Sequence, residues 1–169
     1  VNHLEKYESY IPVDLLNPSH FLAGSLILFG IVAFRYFLVA GAFWWAFYRL
    51  QPPGLKKRQI YAKLPDANLQ LSEIKWSILA SAIFGVGGVV MGVLWQLGWT
   101  RIYLPFQEYP LWYLPLSFLI LSFFHDFYFY VTHRMLHWPW LFKKAHYVHH
   151  QSLTPSPWAS FSFHPIESV

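Results

Sequence analysis

Residues 112–137 read WYLPLSFLILSFFHDFYFYVTHRMLH. Pro115 falls in the first turn of the helix this stretch would form, where proline is tolerated, and Leu116 to Phe124 is nearly all apolar. From His125 the character changes. His125, Asp126, Tyr128, Tyr130 and Thr132 interleave with Phe127, Phe129 and Val131. The 21 helical steps from Trp112 to His133 advance about 32 Å, close to the thickness of a bilayer's hydrocarbon core. The segment therefore reads as a membrane span over about residues 112–133 that delivers His133 to an interface.

His133 opens an H-x-x-x-H motif closed by His137, and nine residues later His146, His149 and His150 form an H-x-x-H-H. Residues three and four apart share a helical face, so each motif presents its imidazoles together. His137-Trp138-Pro139-Trp140 breaks the first helix, and the second motif returns on a new one. Five imidazoles each finding a separate buried partner is a costly arrangement. Shared metal ligation by His133, His137, His146, His149 and His150 accounts for all of them, imidazole being the commonest neutral metal ligand.

Toward the N-terminus, Asn17-Pro18-Ser19 offers a helix start, and Phe21 to Tyr48 is apolar except for Arg35. The span is expected over about 21–48; longer than the hydrocarbon core needs, it either tilts or has its end with Trp44, Trp45 and Tyr48 in the interface. Arg35 must either snorkel or pair inside the bundle. Gln51-Pro52-Pro53-Gly54 ends this helix. Ser72, with Glu73 beside it, is a candidate cap for a second span over about 72–95. Ser81, Gly85, Gly88 and Gly92 make a small-residue stripe along it, suited to close helix contact. A short turn with Trp99, Tyr103 and Pro105 leads to the third span.

Composition agrees with three spans. The chain is 56% hydrophobic and 12% charged, against about 45–50% and about 25% in soluble domains. The fold class is all-α integral membrane protein, three transmembrane helices followed by a histidine-bearing cytosolic helical cap. The whole of 1–169 reads as one domain. The absence of cysteine excludes disulfides, thiolate-bound iron–sulfur clusters and a cysteine nucleophile. The chain opens on Val1 without a signal-peptide pattern and reads as a fragment.

A net charge of +4 raises nucleic acid as a partner, but the basic residues lie in short loops beside apolar spans, which argues against it. Arg49, Lys56, Lys57, Arg58, Lys63, Lys75, Arg134, Lys143 and Lys144 fall on one side of a three-span topology, Lys6 and Arg101 on the other. The positive-inside rule then puts the histidines in the cytoplasm. A bacterial inner membrane and the endoplasmic reticulum fit equally well.

Five histidines exceed the four ligands of a closed structural zinc site. No H-E-x-x-H supplies the base of a zinc protease, and bis-histidine haem would need ligands facing one another from separate spans. Two irons with open positions for oxygen match best, although spacing alone leaves zinc open as a substitute. Asp126 shares a face with His133 and His137. It either orients a ligand imidazole or pairs with Arg134 or Lys144. Tyr130 is placed for the same network, while His125 is turned about 100° from Asp126, away from a first-contact position. Phe123, Phe124, Phe127, Tyr128 and Phe129 either guide an apolar substrate or face lipid. His3 and His20 read as ordinary interfacial residues.

The run from His125-Asp126 through His133 and His137, then His146, His149 and His150, then Thr154-Pro155-Ser156-Pro157-Trp158-Ala159 and Phe163-His164-Pro165-Ile166-Glu167, resembles the fatty acid hydroxylase / sterol desaturase superfamily. It is most similar to the sterol C-5 desaturase-like branch. The resemblance is detailed over 125–167 and looser before it.

That resemblance implies a membrane-bound, non-haem di-iron oxidoreductase that uses O2 to hydroxylate or desaturate a lipid C–H bond of sterol or fatty-acyl type. Electrons would come from cytochrome b5, ferredoxin or a similar carrier. The five clustered histidines would be the ligands of the first two histidine boxes. His164 and Glu167 match a recurring F-H-P-x-E segment and would support the site from behind or shape its loop. A further histidine box, with the C-terminal part of the family fold, is expected beyond residue 169. A membrane metal transporter or sensor, or a non-catalytic paralogue, are the competing readings.

Overall fold

A computed structural model of the chain describes residues 12–51, 54, 57–58, 65–100, 102 and 109–168. His3, Lys6, Lys56, Lys63, Arg101, Tyr103 and Pro105, together with Pro52 and Pro53, lie outside the described residues. The described residues are all-helical, and three of the helices are long and apolar enough to cross a membrane.

Helix α1 spans Pro18–Trp44. Asn17 Oδ1 accepts the Ser19 N–H at 3.0 Å, satisfying one of the orphan donors of the first turn, and Pro18 takes the position where a missing N–H costs nothing. The helix continues as a π-helical turn, Trp45–Leu50, and stops at Gln51, whose φ of 42° is left-handed. Helix α2 runs Ala67–Gln96 and is capped by Asp66, which accepts the Asn68 N–H at 3.1 Å. Ser72 is therefore not the cap; the carboxylate of Asp66 starts the helix more than a turn earlier, leaving Ser72 and Glu73 in its second turn. Helix α3 spans Tyr113–Leu136, and none of its residues is buried.

The small-residue stripe on α2 faces α1. At Gly85 a Cβ would lie 2.8 Å from the Phe29 N and 2.9 Å from the Ser25 carbonyl oxygen, so backbone meets backbone there and no side chain fits. Gly88 and Gly92 similarly accept the side chains of Leu28 and Leu15. Beyond the helix pair, Gln96 Oε1 accepts the Leu15 N–H at 3.0 Å and its Nε2 donates to the Val13 carbonyl at 2.8 Å. That side chain ties the segment before α1 to the far end of α2.

After α3 the chain turns at His137-Trp138 and forms a compact cap: α4 (Pro139–Leu141), a π-helical segment (Phe142–His146) and α5 (Tyr147–His150). A one-turn 3₁₀ helix, Pro157–Phe161, then packs against both α1 and α2. Its backbone enters apolar surroundings, where an unpaired carbonyl is expensive. The Trp158 carbonyl accepts from Tyr36 Oη at 2.8 Å and from Ser77 Oγ at 3.0 Å, one donor from each helix. Ser156 Oγ donates to the carboxylate of buried Glu73. The Trp158 ring meets Tyr36, Phe37 and Trp44 edge-on or tilted. Glu73 and Ser77, four apart on α2, thus form a polar rail under this turn, and Ser81 Oγ donates back to the Ser77 carbonyl at 2.7 Å.

Candidate metal centre

The sequence brings His133 and His137 to the end of α3 because the helix persists to Leu136, with His137 as its cap residue. Their Nε2 atoms are 3.4 Å apart. The Trp138-Pro139 break folds the chain back, and the π-helical segment carries Phe142 and His146 under α3. Wide π turns are often found where a helix aims a functional side chain.

His146 is the centre of the arrangement and is fully buried. Its ring lies perpendicular to that of His133, centroids 4.6 Å apart, and 4.7 Å from that of His137. Its Nε2 is 3.0 Å from His150 Nε2, and the His137 and His150 rings are 5.1 Å apart. Donor nitrogens of His133, His137 and His146 all lie within 4.8 Å of one another. Two imidazoles bound to one metal at about 2.0–2.2 Å must hold their nitrogens roughly 3–3.5 Å apart. The 3.0 and 3.4 Å pairs already meet that spacing. The two motifs thus converge on one volume, open to solvent beside the exposed His137 and His150.

His149 flanks this volume. Its ring is 5.5 Å from that of His146 and 5.4 Å from Phe163, and its Nδ1 is buried with no hydrogen-bond partner. A buried polar atom left unpaired costs free energy, and beside four imidazoles a cation is the partner its chemistry suits. The Ser162 backbone opposes the fall in its pKa without closing a bond to Nδ1.

Glu167 sets the tautomer. With its carboxylate ionised, Glu167 Oε1 accepts from His146 Nδ1, 2.8 Å away. A neutral imidazole carries one N–H, so Nε2 is left as a bare acceptor aimed at the cluster, the arrangement that prepares a histidine to bind metal. Burial, then the neighbouring imidazoles His133, His150, His137 and His149, push His146 down to about 4. Burial pushes Glu167 up to about 7, opposed by a hydrogen bond from the His164 backbone. Both shifts favour neutral forms, so in the metal-free protein below about pH 7 the contact is a hydrogen bond between neutral groups in which the carboxyl can itself be the donor, and the Nδ1–H tautomer is enforced once the carboxylate is ionised. His149 is also pushed below its usual value, first by burial and then by His150 and His133.

His164 stands apart from the cluster. Its ring lies 5.8 Å from Trp76, its Nδ1 accepts the Ile166 N–H at 3.2 Å, and its carbonyl accepts the Glu167 N–H at 2.8 Å. It builds the turn that points Glu167 at His146. Nor does the structure bring Asp126 to a ligand: its carboxylate sits 3.2 Å from His125 Nδ1 in an exposed pair. Seven residues along a helix are about 10.5 Å of axis, more than an aspartate can reach, whatever face it shares. Tyr130 Oη accepts from Arg134 Nη1 at 3.0 Å, and Lys144 lies over the Trp140 ring, so neither base pairs with Asp126. The His125 ring stacks on Phe129, which stacks on His133. The Phe123–Phe129 aromatics are exposed.

Sequence reasoning missed the anchors Tyr36, Glu73 and Ser77, which seat the loop that ends at Glu167. The signal was present as the four-residue spacing of Glu73, Ser77 and Ser81 in an apolar helix.

The family model described as fatty acid hydroxylase matches residues 118–169. A probable Delta(7)-sterol 5(6)-desaturase of Neurospora crassa is 30% identical over 145 residues, 84% of this chain and 39% of the relative. Lathosterol oxidase of Homo sapiens is 33% identical over 97 residues, 56% of this chain and 32% of the relative. A Delta(7)-sterol 5(6)-desaturase of Eremothecium gossypii is 38% identical over 93 residues, 49% and 26% of the two chains. The chain thus spans between 26% and 39% of the length of these relatives. No solved structure matches. Residues 118–169, which carry all five clustered histidines, belong to the fatty acid hydroxylase family, on its sterol desaturase-like branch.

Proposed function

We propose that this chain is part of a membrane-bound oxidoreductase that hydroxylates or desaturates an unactivated C–H bond of a sterol or fatty-acyl lipid. The observation that carries this reading is the convergence of His133, His137 and His146, with Glu167 Oε1 2.8 Å behind His146 at Nδ1. His133, His137, His146, His149 and His150 would hold non-haem iron, two ions in the complete site. Iron bound there supplies the centre at which O2 is reduced while the lipid is oxidised. Overall, O2, two electrons and two protons convert C–H to C–OH plus one water, or a CH–CH unit to C=C plus two waters.

The chain's own residues do the following. The histidines present imidazole donors, the ionised Glu167 holds the His146 proton on Nδ1, and the apolar spans keep the lipid in the bilayer beside the cap. Five imidazoles leave two irons short of donors, so we assign further ligands to residues outside 118–169. The electrons are assigned to a carrier such as cytochrome b5 or ferredoxin, and we assign the cap to the cytoplasmic side, a reading supported by the distribution of basic residues.

The test is metal analysis and O2 uptake by the purified full-length protein supplied with reductant, carrier and sterol or acyl lipid. Iron should co-purify, and uptake should match oxidised lipid by mass spectrometry. Zinc-loaded protein should be silent, and His146→Ala should lose both iron and turnover. Stoichiometric iron with no reductant-dependent O2 uptake on any lipid of these classes would overturn the reading.

A further inference from the structure

The cap is one continuous helical run, Pro139–His150, with two unlike faces. On the inner one Ala145 and His146 are buried. The Phe142 ring there lies 5.2 Å from that of His150, 5.8 Å from His137 and 6.0 Å from His146. Trp140, Lys143, Lys144 and Tyr147 fall on the other side, at the i, i+3, i+4, i+7 spacing of a single helical face, and all four are exposed. Lys144 Nζ sits 4.7 Å over the Trp140 ring, so the face is continuous through the wide π turns. The exposed Tyr147 ring is 6.2 Å from that of Phe142. One side chain, Phe142, therefore separates this outer face from three of the clustered imidazoles.

The outer face is also basic without compensation. From Arg134 to Ser168 the lysine and arginine side chains are Arg134, Lys143 and Lys144, all exposed. The one acid in that stretch, Glu167, is almost wholly enclosed beside His146. Tryptophan and tyrosine are enriched in protein interfaces, and charges around them steer a partner of opposite sign.

We propose that the face formed by Trp140, Lys143, Lys144 and Tyr147 is the docking surface of an acidic one-electron carrier protein, which delivers its electrons to the centre behind Phe142. The proposal rests on the oxidoreductase reading above. In each turnover two reduced carriers are oxidised by one electron each. Those two electrons, the two taken from the lipid and two protons account for the reduction of O2. A layer of lipid headgroups also accepts lysine and tryptophan, but a membrane anchor has no need to lie against the imidazoles. A carrier does, and the short path through Phe142 favours it.

The test titrates the full-length protein, in phosphatidylcholine nanodiscs, with oxidised soluble cytochrome b5 and with oxidised ferredoxin. Binding is read without O2 or lipid substrate, so its failure is separate from failure of the oxidoreductase reading, which O2 uptake measures. At least one carrier should bind, more weakly as salt rises. Lys143→Glu combined with Lys144→Glu should raise its Kd at least about tenfold while iron content stays at the wild-type level. Wild type should lose a similar factor toward the same carrier with its surface carboxylates amidated, an arm that stands even if the double variant does not fold. Lys57→Glu with Arg58→Glu, a basic pair between the first two spans, should bind like wild type. Failure of both carriers to bind would overturn the proposal, as would an unchanged Kd in either the double variant or the amidated carrier. An equal loss in the Lys57 and Arg58 variant would assign the effect to general surface charge and overturn it. So would a fluorophore at Lys143→Cys that is quenched by brominated acyl chains and not by bound cytochrome b5, which would turn this face to the membrane.

Discussion

At the scale of single residues, Glu167 has two roles of opposite sign. In the metal-free protein its carboxyl is pushed up to about 7 from 4.5. The folded state therefore holds that proton more tightly than the unfolded chain does. Its contribution to stability is full below the unfolded value and is lost as pH rises through the folded one. Glu167→Gln should accordingly raise the melting temperature of metal-free protein relative to wild type, progressively from about pH 4.5 to about pH 7. His146 runs the other way: its value falls from 6.5 to about 4, so its contribution is present above 6.5 and lost as pH falls toward 4. With metal, the carboxylate is an asset. Glu167→Ala should weaken metal binding about 10–100-fold, the usual effect of removing a carboxylate behind a ligand histidine, and Glu167→Gln less, because its amide oxygen still accepts the Nδ1–H. Competition against a calibrated chelator measures both. Equal affinity in wild type and Glu167→Ala would show that the hydrogen bond does not prepare His146.

At the scale of elements, the α1–α2 contact depends on Gly85 and the seated turn depends on paired carbonyls. Gly85→Ala places a methyl against backbone atoms that have no rotamer to yield, so the helices must part, at about 1–3 kcal/mol. Gly30→Ala, where a Cβ meets open space, should be neutral in the same detergent-unfolding assay. The double substitution Tyr36→Phe with Ser77→Ala removes both donors to the Trp158 carbonyl and should cost about 1–3 kcal/mol for an unpaired buried group, in the same unfolding assay. Much of this architecture was readable: the Asn17-Pro18 start and the glycine stripe are local patterns with a physical cause. The cap of α2 was not, because Ser72 and Asp66 both satisfy the local rule. The docked turn was not either. Ser156-Pro157-Trp158 reads locally as loop, and its anchors Glu73, Ser77 and Tyr36 lie some 80 to 120 residues away.

At the scale of the whole molecule, hydropathy located all three spans; the helices run Pro18–Leu50, Ala67–Gln96 and Tyr113–Leu136, each end lying outside the expected one except the start of the third, which is one residue later. The meeting of the two histidine motifs was legible for a simple reason: spacing fixed each face, and the Trp138-Pro139 break could only fold one against the other. Asp126 was misleading because helical phase shows which face a residue is on but not how far along the axis it must reach. Topology remains a prediction from the basic residues. On this cysteine-free chain, single cysteines at Lys57 and Lys143 should be labelled by a membrane-impermeant maleimide from the same side. Labelling from opposite sides would contradict three spans.

The Trp158 carbonyl takes one hydrogen bond from each of the first two spans, which couples the seating of the turn to the pairing of those spans. Neither span alone offers the turn a complete seat, and the turn is followed, six residues after Phe161, by Glu167. A nascent chain whose first hairpin has failed to pair in the bilayer would still possess its imidazoles. It would lack the carboxylate that readies the central one. Placement of the Glu167 carboxylate beside His146 is thus coupled to the pairing of the first two spans.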